Sequence, residues 1–247
     1  MVMTDKTNQL IGSVERVGDT SVQTLFFVIM MLPIYPQGSY LVIKRKGERT
    51  VMEVKRNGRS VLAGYLRWWP GTLGIIGAML GGSALFYVEP DDQLLAGIVT
   101  GVSAFLLLLA GLMFLVTRGA LSAEEKAQRT VYAEFANAPV DVAKLKDPWS
   151  LRDNIKRFLS DKAEQMGVTQ GQKHGYGFNH WYAIALDPRM NDVQYLRGAL
   201  TVARLLSENP DEHDAELGVP PQNYAQIHAT IWQKLRAIQP GVMAVAA

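Results

Sequence analysis

The segment GQKHGYGFNHWY, residues 171–182, gathers Lys173, His174, Tyr176, Asn179, His180 and Trp181 within one turn-rich stretch. Two imidazoles this close can ligate zinc or exchange protons near neutral pH, and His213 or His228 could complete such a set from the last third of the chain. The spacing matches no HExxH-type metal motif. The chain also lacks a P-loop, a GxGxxG, a GxSxG and any paired-carboxylate motif in a recognisable context, and it has no cysteine to serve as thiolate or disulfide. No catalytic residue, metal or cofactor is therefore expected. Tyr and Trp dominate interface hot spots, so His174, Tyr176, His180 and Trp181 are read as contacts of a docking surface. A glycine-rich loop feeding an aromatic helix start is the structural alternative.

Glycine spacing makes a second constellation. Gly77 and Gly81 form one GxxxG, and Gly97 and Gly101 form another, each inside an uncharged run. Small residues four apart line one helix face and let backbones approach closely in lipid. Their expected roles are assembly with other membrane proteins or formation of a homo-oligomer, against the simpler case in which the two runs pack on each other.

The third constellation is charge. KRKGERTVMEVKRNGR, residues 44–59, holds Lys44, Arg45, Lys46, Arg49, Lys55, Arg56 and Arg59 against only Glu48 and Glu53, in a chain whose net charge is +2. Together with Arg67 these side chains are expected to face anionic lipid headgroups, where each base contributes on the order of 1 kcal/mol. Nucleic acid is not expected, because apolar runs flank the stretch on both sides.

These residues need elements to hold them. Residues 68–88 and 94–117 contain no charged side chain, and at a rise of about 1.5 Å per residue each run is long enough for the hydrocarbon core of a bilayer. Between them lies EPDDQ, residues 89–93, acidic and long enough only for a tight turn. Basic residues on the other side, including Arg118, orient the pair with the turn outward and the remainder in the cytoplasm. Ion or proton pathways generally use ionisable groups or broken helices, which these runs lack, so an anchor is expected rather than a channel.

Residues 22–43 form another uncharged run, broken by Pro33, Pro36 and Gly38. The expectation is a Pro-kinked first span, with a shorter helix followed by an extended hairpin around KGER as the alternative. The N-terminal 1–21 segment mixes acids and bases before any apolar run, which does not suit a cleaved signal peptide. Residues 118–247 carry 15 bases and 15 acids. A capping box at Ser122 and Glu125, an N-cap at Ser150, a stop at Gly167 and helices over 177–186, 191–207 and 221–238 are expected there.

The expected whole is a mainly α membrane protein. It comprises the 1–21 segment, a first membrane segment at 22–43, a basic cytoplasmic loop at 44–67 that includes the hairpin alternative, a transmembrane helical hairpin at 68–117, and a cytoplasmic all-α domain at 118–247. The matching function is an accessory or scaffold subunit of a multi-protein envelope complex of secretion or conjugation type, in the bacterial inner membrane with its C-terminus in the cytoplasm. Two other classes fit the sequence less well: a membrane-bound enzyme with a histidine site at the bilayer surface, and a small transport-related subunit.

Overall fold

A computed structural model describes residues 7–29, 32–45, 48–87, 93–116, 121–168, 180–208 and 223–241. The chain divides into two units, Met1–Leu121 and Ser122–Ala247.

The first unit begins with an antiparallel meander, β1 (Asn8–Val17), β2 (Thr20–Ile29), β3 (Leu32–Arg45) and β4 (Glu48–Val54), in that spatial order. Thr20 pairs with Ile43 at one end of β2 and Ile29 with Leu32 at the other, while β4 covers β3 only from Ser39 to Arg45. Helix α1 (Gly58–Tyr87) then crosses the sheet and runs on to pack beside α2 (Gln93–Val116). Ile11, Phe26 and Val28 form the sheet side of the contact, and Val61, Tyr65 and Trp68 the helix side. Beneath the start of α1 lies a buried polar patch. The Asn57 side-chain oxygen caps the helix by accepting from the Ser60 N–H at 3.1 Å, and the Ser60 hydroxyl donates to the Gly12 carbonyl at 2.8 Å. The Thr24 hydroxyl donates to Ser60 at 2.9 Å, and the Asn57 amide donates to the buried Glu15 carboxylate at 2.9 Å.

This arrangement overturns the mainly α membrane fold expected from the sequence. Residues 22–43 are not a kinked span but most of β2 and the larger part of β3. A strand buried on both faces reads as a continuous apolar run, the same signal a short membrane helix gives. The prolines fit because Pro33 and Pro36 lie on the stretch of β3 that β4 does not pair, where the register with β2 also shifts. Within 44–67 the hairpin alternative holds, since β3 and β4 pair antiparallel with Lys44 opposite Arg49 and Arg45 opposite Glu48, and the first ten residues of α1 follow in place of a loop. The helical hairpin expected at 68–117 fails as a unit for the same reason, since α1 starts on the sheet. Among the described residues one helix, Leu94–Val116, is long and apolar enough to cross a membrane.

In the second unit, α3 (Ala123–Ala136) starts with the Ser122 hydroxyl accepting from the Glu125 N–H at 3.1 Å and ends at Asn137 in the left-handed region. A 3-10 turn (Val142–Lys144) leads to α4 (Trp149–Gln165), whose N-cap position is Pro148 and not Ser150. At its other end Gly167, with φ 83°, allows the Val168 N–H to reach the Ala163 carbonyl and the Gly167 N–H to reach Glu164. Helices α5 (His180–Leu186), α6 (Val193–Glu208) and α7 (Tyr224–Ile238) complete the unit. Helix α6 is its axis: ten of its residues are buried, and it touches α3, α4, α5, α7 and the 3-10 turn. A Cβ at Gly198 would stand 3.0 Å from the Leu159 side chain, which is what permits α4 to cross so closely.

Candidate functional site

Ionisable side chains converge on a cleft of about 240 Å³ in the second unit, lined by Glu125, Gln128, Arg129, Tyr132, Asp141, Arg204 and His228. Glu125, Arg129 and Tyr132 share one face of α3 at intervals of four and three residues. Asp141 caps the 3-10 turn, Arg204 comes from α6 and His228 from α7. Arg204 grips Asp141 through both carboxylate oxygens, Nε to Oδ1 at 2.9 Å and a terminal nitrogen to Oδ2 at 2.7 Å, and also reaches Glu208 at 2.8 Å. Arg129, almost wholly buried, pairs with Glu125 at 2.9 Å. The Tyr132 hydroxyl and His228 Nε2 are 2.7 Å apart. Four residues further along α7, the Trp232 indole donates to Glu124 at 2.6 Å.

Burial works against charge on Asp141, but the hydrogen bonds and the positive charge of Arg204 outweigh it, so the carboxyl titrates below its ordinary range. Burial pushes the Tyr132 phenol up, leaving it a neutral hydrogen-bonding group and not a nucleophile. His228 is driven down to about 4, by burial first and then by the Arg204 guanidinium. An imidazole that stays neutral at pH 7 can accept from Tyr132 or donate to it. The two arginines and two carboxylates of the cleft are already matched to one another, an arrangement suited to holding α3, α6 and α7 in one register.

The His228 shift has a signed consequence. The unfolded chain protonates this imidazole near pH 6.5 while the folded chain resists until about 4, so the unfolded state binds more protons in that window. Stability should therefore be full above about pH 6.5 and fall on acidification, by about 3 kcal/mol once pH 4 is reached, at roughly 1.4 kcal/mol per pH unit. Urea titrations across that range should show the slope in the wild type and its loss in His228→Gln. An unchanged slope in the variant would assign it to other groups.

The residues singled out by sequence distribute as follows. His174 and Tyr176 lie outside the described residues, as does His213; His180 opens α5, and its side chain is likewise not described. Trp181 is 2 % exposed, stacked on Tyr224 with ring centroids 6.3 Å apart, and its carbonyl accepts from the Tyr195 hydroxyl. It is a core side chain of the unit. Among the described residues no three His, Asp or Glu side chains come together as a metal site.

Gly77 and Gly81 face α2. A Cβ at Gly77 would collide with the Ser103 hydroxyl, and one at Gly81 would stand 2.7 Å from the Thr100 hydroxyl and 2.9 Å from its backbone nitrogen. Gly97 and Gly101 have open space where a Cβ would go. Gly77→Leu and Gly81→Leu should thus force the helices apart and lower the melting temperature of the purified protein, whereas Gly97→Leu and Gly101→Leu should leave it unchanged. Equal behaviour of the two pairs would remove the close helix contact as the cause.

Of the basic residues, Lys44 pairs with Arg49 across the β3–β4 connection, and the Lys44 N–H reaches the Asp19 carbonyl of the neighbouring turn. Arg45 closes β3, and Lys46 lies outside the described residues. Lys55 and Arg56 follow β4, Arg56 donating to the Pro36 carbonyl at 3.3 Å, and Arg59 sits in the exposed first turn of α1. Arg67 donates to the Ser13 carbonyl at 2.9 Å and lies over the Phe114 ring, 5.0 Å from its centroid.

The sequence pattern does not reveal the cleft; of its residues, only His228 stands out there, as a candidate addition to the His174 and His180 set. Its one readable signal is charge in an apolar phase: Arg129 stands three residues before Tyr132 and seven before Ala136, on one face of α3, and all three are buried. No family model, no curated protein and no solved structure matches the chain.

Proposed function

We propose that this chain is a membrane-anchored accessory or scaffold subunit of a multi-protein envelope assembly, of the secretion or conjugation kind, with the Ser122–Ala247 unit as its docking module. The observation that carries the proposal is α2. Its 23 residues Leu94–Val116 carry no charge and only Thr100 and Ser103 as polar side chains, and few of them are buried within the chain. At about 1.5 Å per residue that length matches a bilayer core. Basic residues on the sheet side and Arg118 after the helix favour the cytoplasm for the C-terminal end of α2 and the unit that follows. A bacterial inner membrane suits this arrangement. The internally matched charges of the cleft favour a structural part over a reaction centre.

Membrane fractionation followed by mild-detergent purification tests it. The full chain should stay with membranes through an alkaline carbonate wash and elute with other membrane proteins in fixed stoichiometry. A C-terminal reporter should behave as cytoplasmic. Release by carbonate would remove the anchor, and elution as an isolated chain would remove the scaffold.

A further inference from the structure

We propose that the end of the sheet where β2 turns into β3 is a lipid-binding tip that inserts into the interfacial layer of the bilayer beside α2. This rests on the assignment of α2 to the membrane.

The tip carries Phe27, Ile29, Ile34 and Tyr35, exposed by 37 %, 49 %, 43 % and 61 %. Phe27 and Tyr35 are cross-strand partners and so share a face, and Ile29, two residues beyond Phe27, joins them. That face is opposite to the one on which Phe26 and Val28 meet α1. Large apolar side chains left in water at a strand end, next to a second exposed group on another element, are the mark of an interaction surface.

The height of this tip is fixed by contacts within the unit. The Trp69 indole donates to the Pro33 carbonyl at 3.1 Å, and the Tyr65 hydroxyl donates to the Ile34 carbonyl at 2.9 Å. Between these two aromatic residues on α1, Arg67 lies over Phe114, two residues from the end of the apolar helix. The tip therefore stands where α2 leaves the hydrocarbon, the zone in which Trp and Tyr side chains are favoured because one end is apolar and the other can hydrogen-bond. Trp69 is itself 37 % exposed there. Apolar surface thus continues from the helix end onto the sheet, and a lipid surface is the partner that meets both at one level.

The opposite end of the sheet is far from that level. From Thr20 to Ile29 the strand advances about 30 Å at roughly 3.3 Å per residue, about three times the screening length of 0.1 M salt. Lys44 and Arg49 sit at that far end. Nearer the tip, Arg56 is held at the Pro36 carbonyl and Arg67 at the Ser13 carbonyl. Attachment of the sheet to lipid is then led by its apolar side chains and requires neither anionic lipid nor low salt.

The chain has no cysteine, so single substitutions Tyr35→Cys, Ile29→Cys, Thr50→Cys and Leu108→Cys can each carry an environment-sensitive fluorophore in the full protein reconstituted in phosphatidylcholine vesicles. Labels at Tyr35→Cys and Ile29→Cys should be blue-shifted and quenched by lipid carrying a nitroxide near the headgroup, in high salt as in low. The label at Thr50→Cys should read as water and that at Leu108→Cys as hydrocarbon. A hydrocarbon signal at Leu108→Cys with water at both tip positions overturns the tip and spares the anchor. Water at Leu108→Cys overturns the anchor itself. A tip signal that vanishes with salt, or that needs phosphatidylglycerol in the vesicles, overturns the apolar origin.

Discussion

Asp141→Ala is expected to destabilise the C-terminal unit by about 2–3 kcal/mol, less than the loss of a fully buried ion-pair partner because Arg204 is partly exposed and keeps Glu208. The Asp141 side chain is 7 % exposed and Arg204 is held by it at two points, so the substitution leaves a guanidinium in a site built around its counter-ion. The cap on the 3-10 turn goes as well, since Asp141 accepts from the Ala143 N–H. Urea denaturation followed by tryptophan fluorescence reads this unit, where Trp181 and Trp232 are buried. Adding Arg204→Met to Asp141→Ala should restore part of the loss, because a guanidinium left with Glu208 alone is then gone from the site. A loss below about 0.5 kcal/mol, the usual range for surface substitutions, would show the pair to be ornamental. The pH dependence separates Asp141 from His228. A carboxyl whose folded pKa is depressed contributes stability above its unfolded value of 3.8, and that contribution is lost as pH falls through the folded pKa. Acid should therefore act in two steps, the first from His228 and the second from Asp141.

How far the sequence could be read depended on whether a pattern had one physical cause or two. The capping box at Ser122 and Glu125 has one, and the helix starts there. Gly167 likewise marks a left-handed stop that no side chain would favour. Ser150 failed because capping residues are also common inside first turns, and a proline two residues earlier already occupied the cap position. The run at 22–43 had two causes. Apolar length alone does not separate a membrane span from a pair of apolar strands packed under a helix, and the prolines that suggest a kink lie on the stretch of β3 that β4 does not pair. Charge balance hid the cleft. Arg129, Asp141 and Arg204 are separated by 12 and 63 residues, and only the fold brings their matched charges together. Trp181 shows how an aromatic beside a glycine-rich stretch gives the same sequence signal whether it packs in the core, as it does against Tyr224, or at a surface.

The second large effect is expected at the join between β1 and α1. Gly12 has φ +74°, at a register shift where β1 bulges between Ile11 and Val14. A Cβ there would overlap the Ser60 carbonyl oxygen and stand 2.9 Å from the Gly64 nitrogen, both backbone atoms of α1 that have nowhere to move. Gly12→Ala thus combines a left-handed penalty of about 1–2 kcal/mol with overpacking of about 1–3 kcal/mol, or roughly 2–5 kcal/mol together. The hydrogen bonds that meet at Ser60, from its hydroxyl to Gly12 and from Thr24 to it, would loosen with the helix. Gly18→Ala supplies the control. That residue also has positive φ, +54°, but nothing lies within 4 Å of its Cβ position, so only the conformational part of about 1–2 kcal/mol should appear. Thermal unfolding of the purified chain, with fluorescence from Trp68 and Trp69 reporting the sheet contact, measures both. The excess of Gly12→Ala over Gly18→Ala is the contribution of the close approach itself, and equal losses in the two variants would mean that α1 does not rest on β1 in this way.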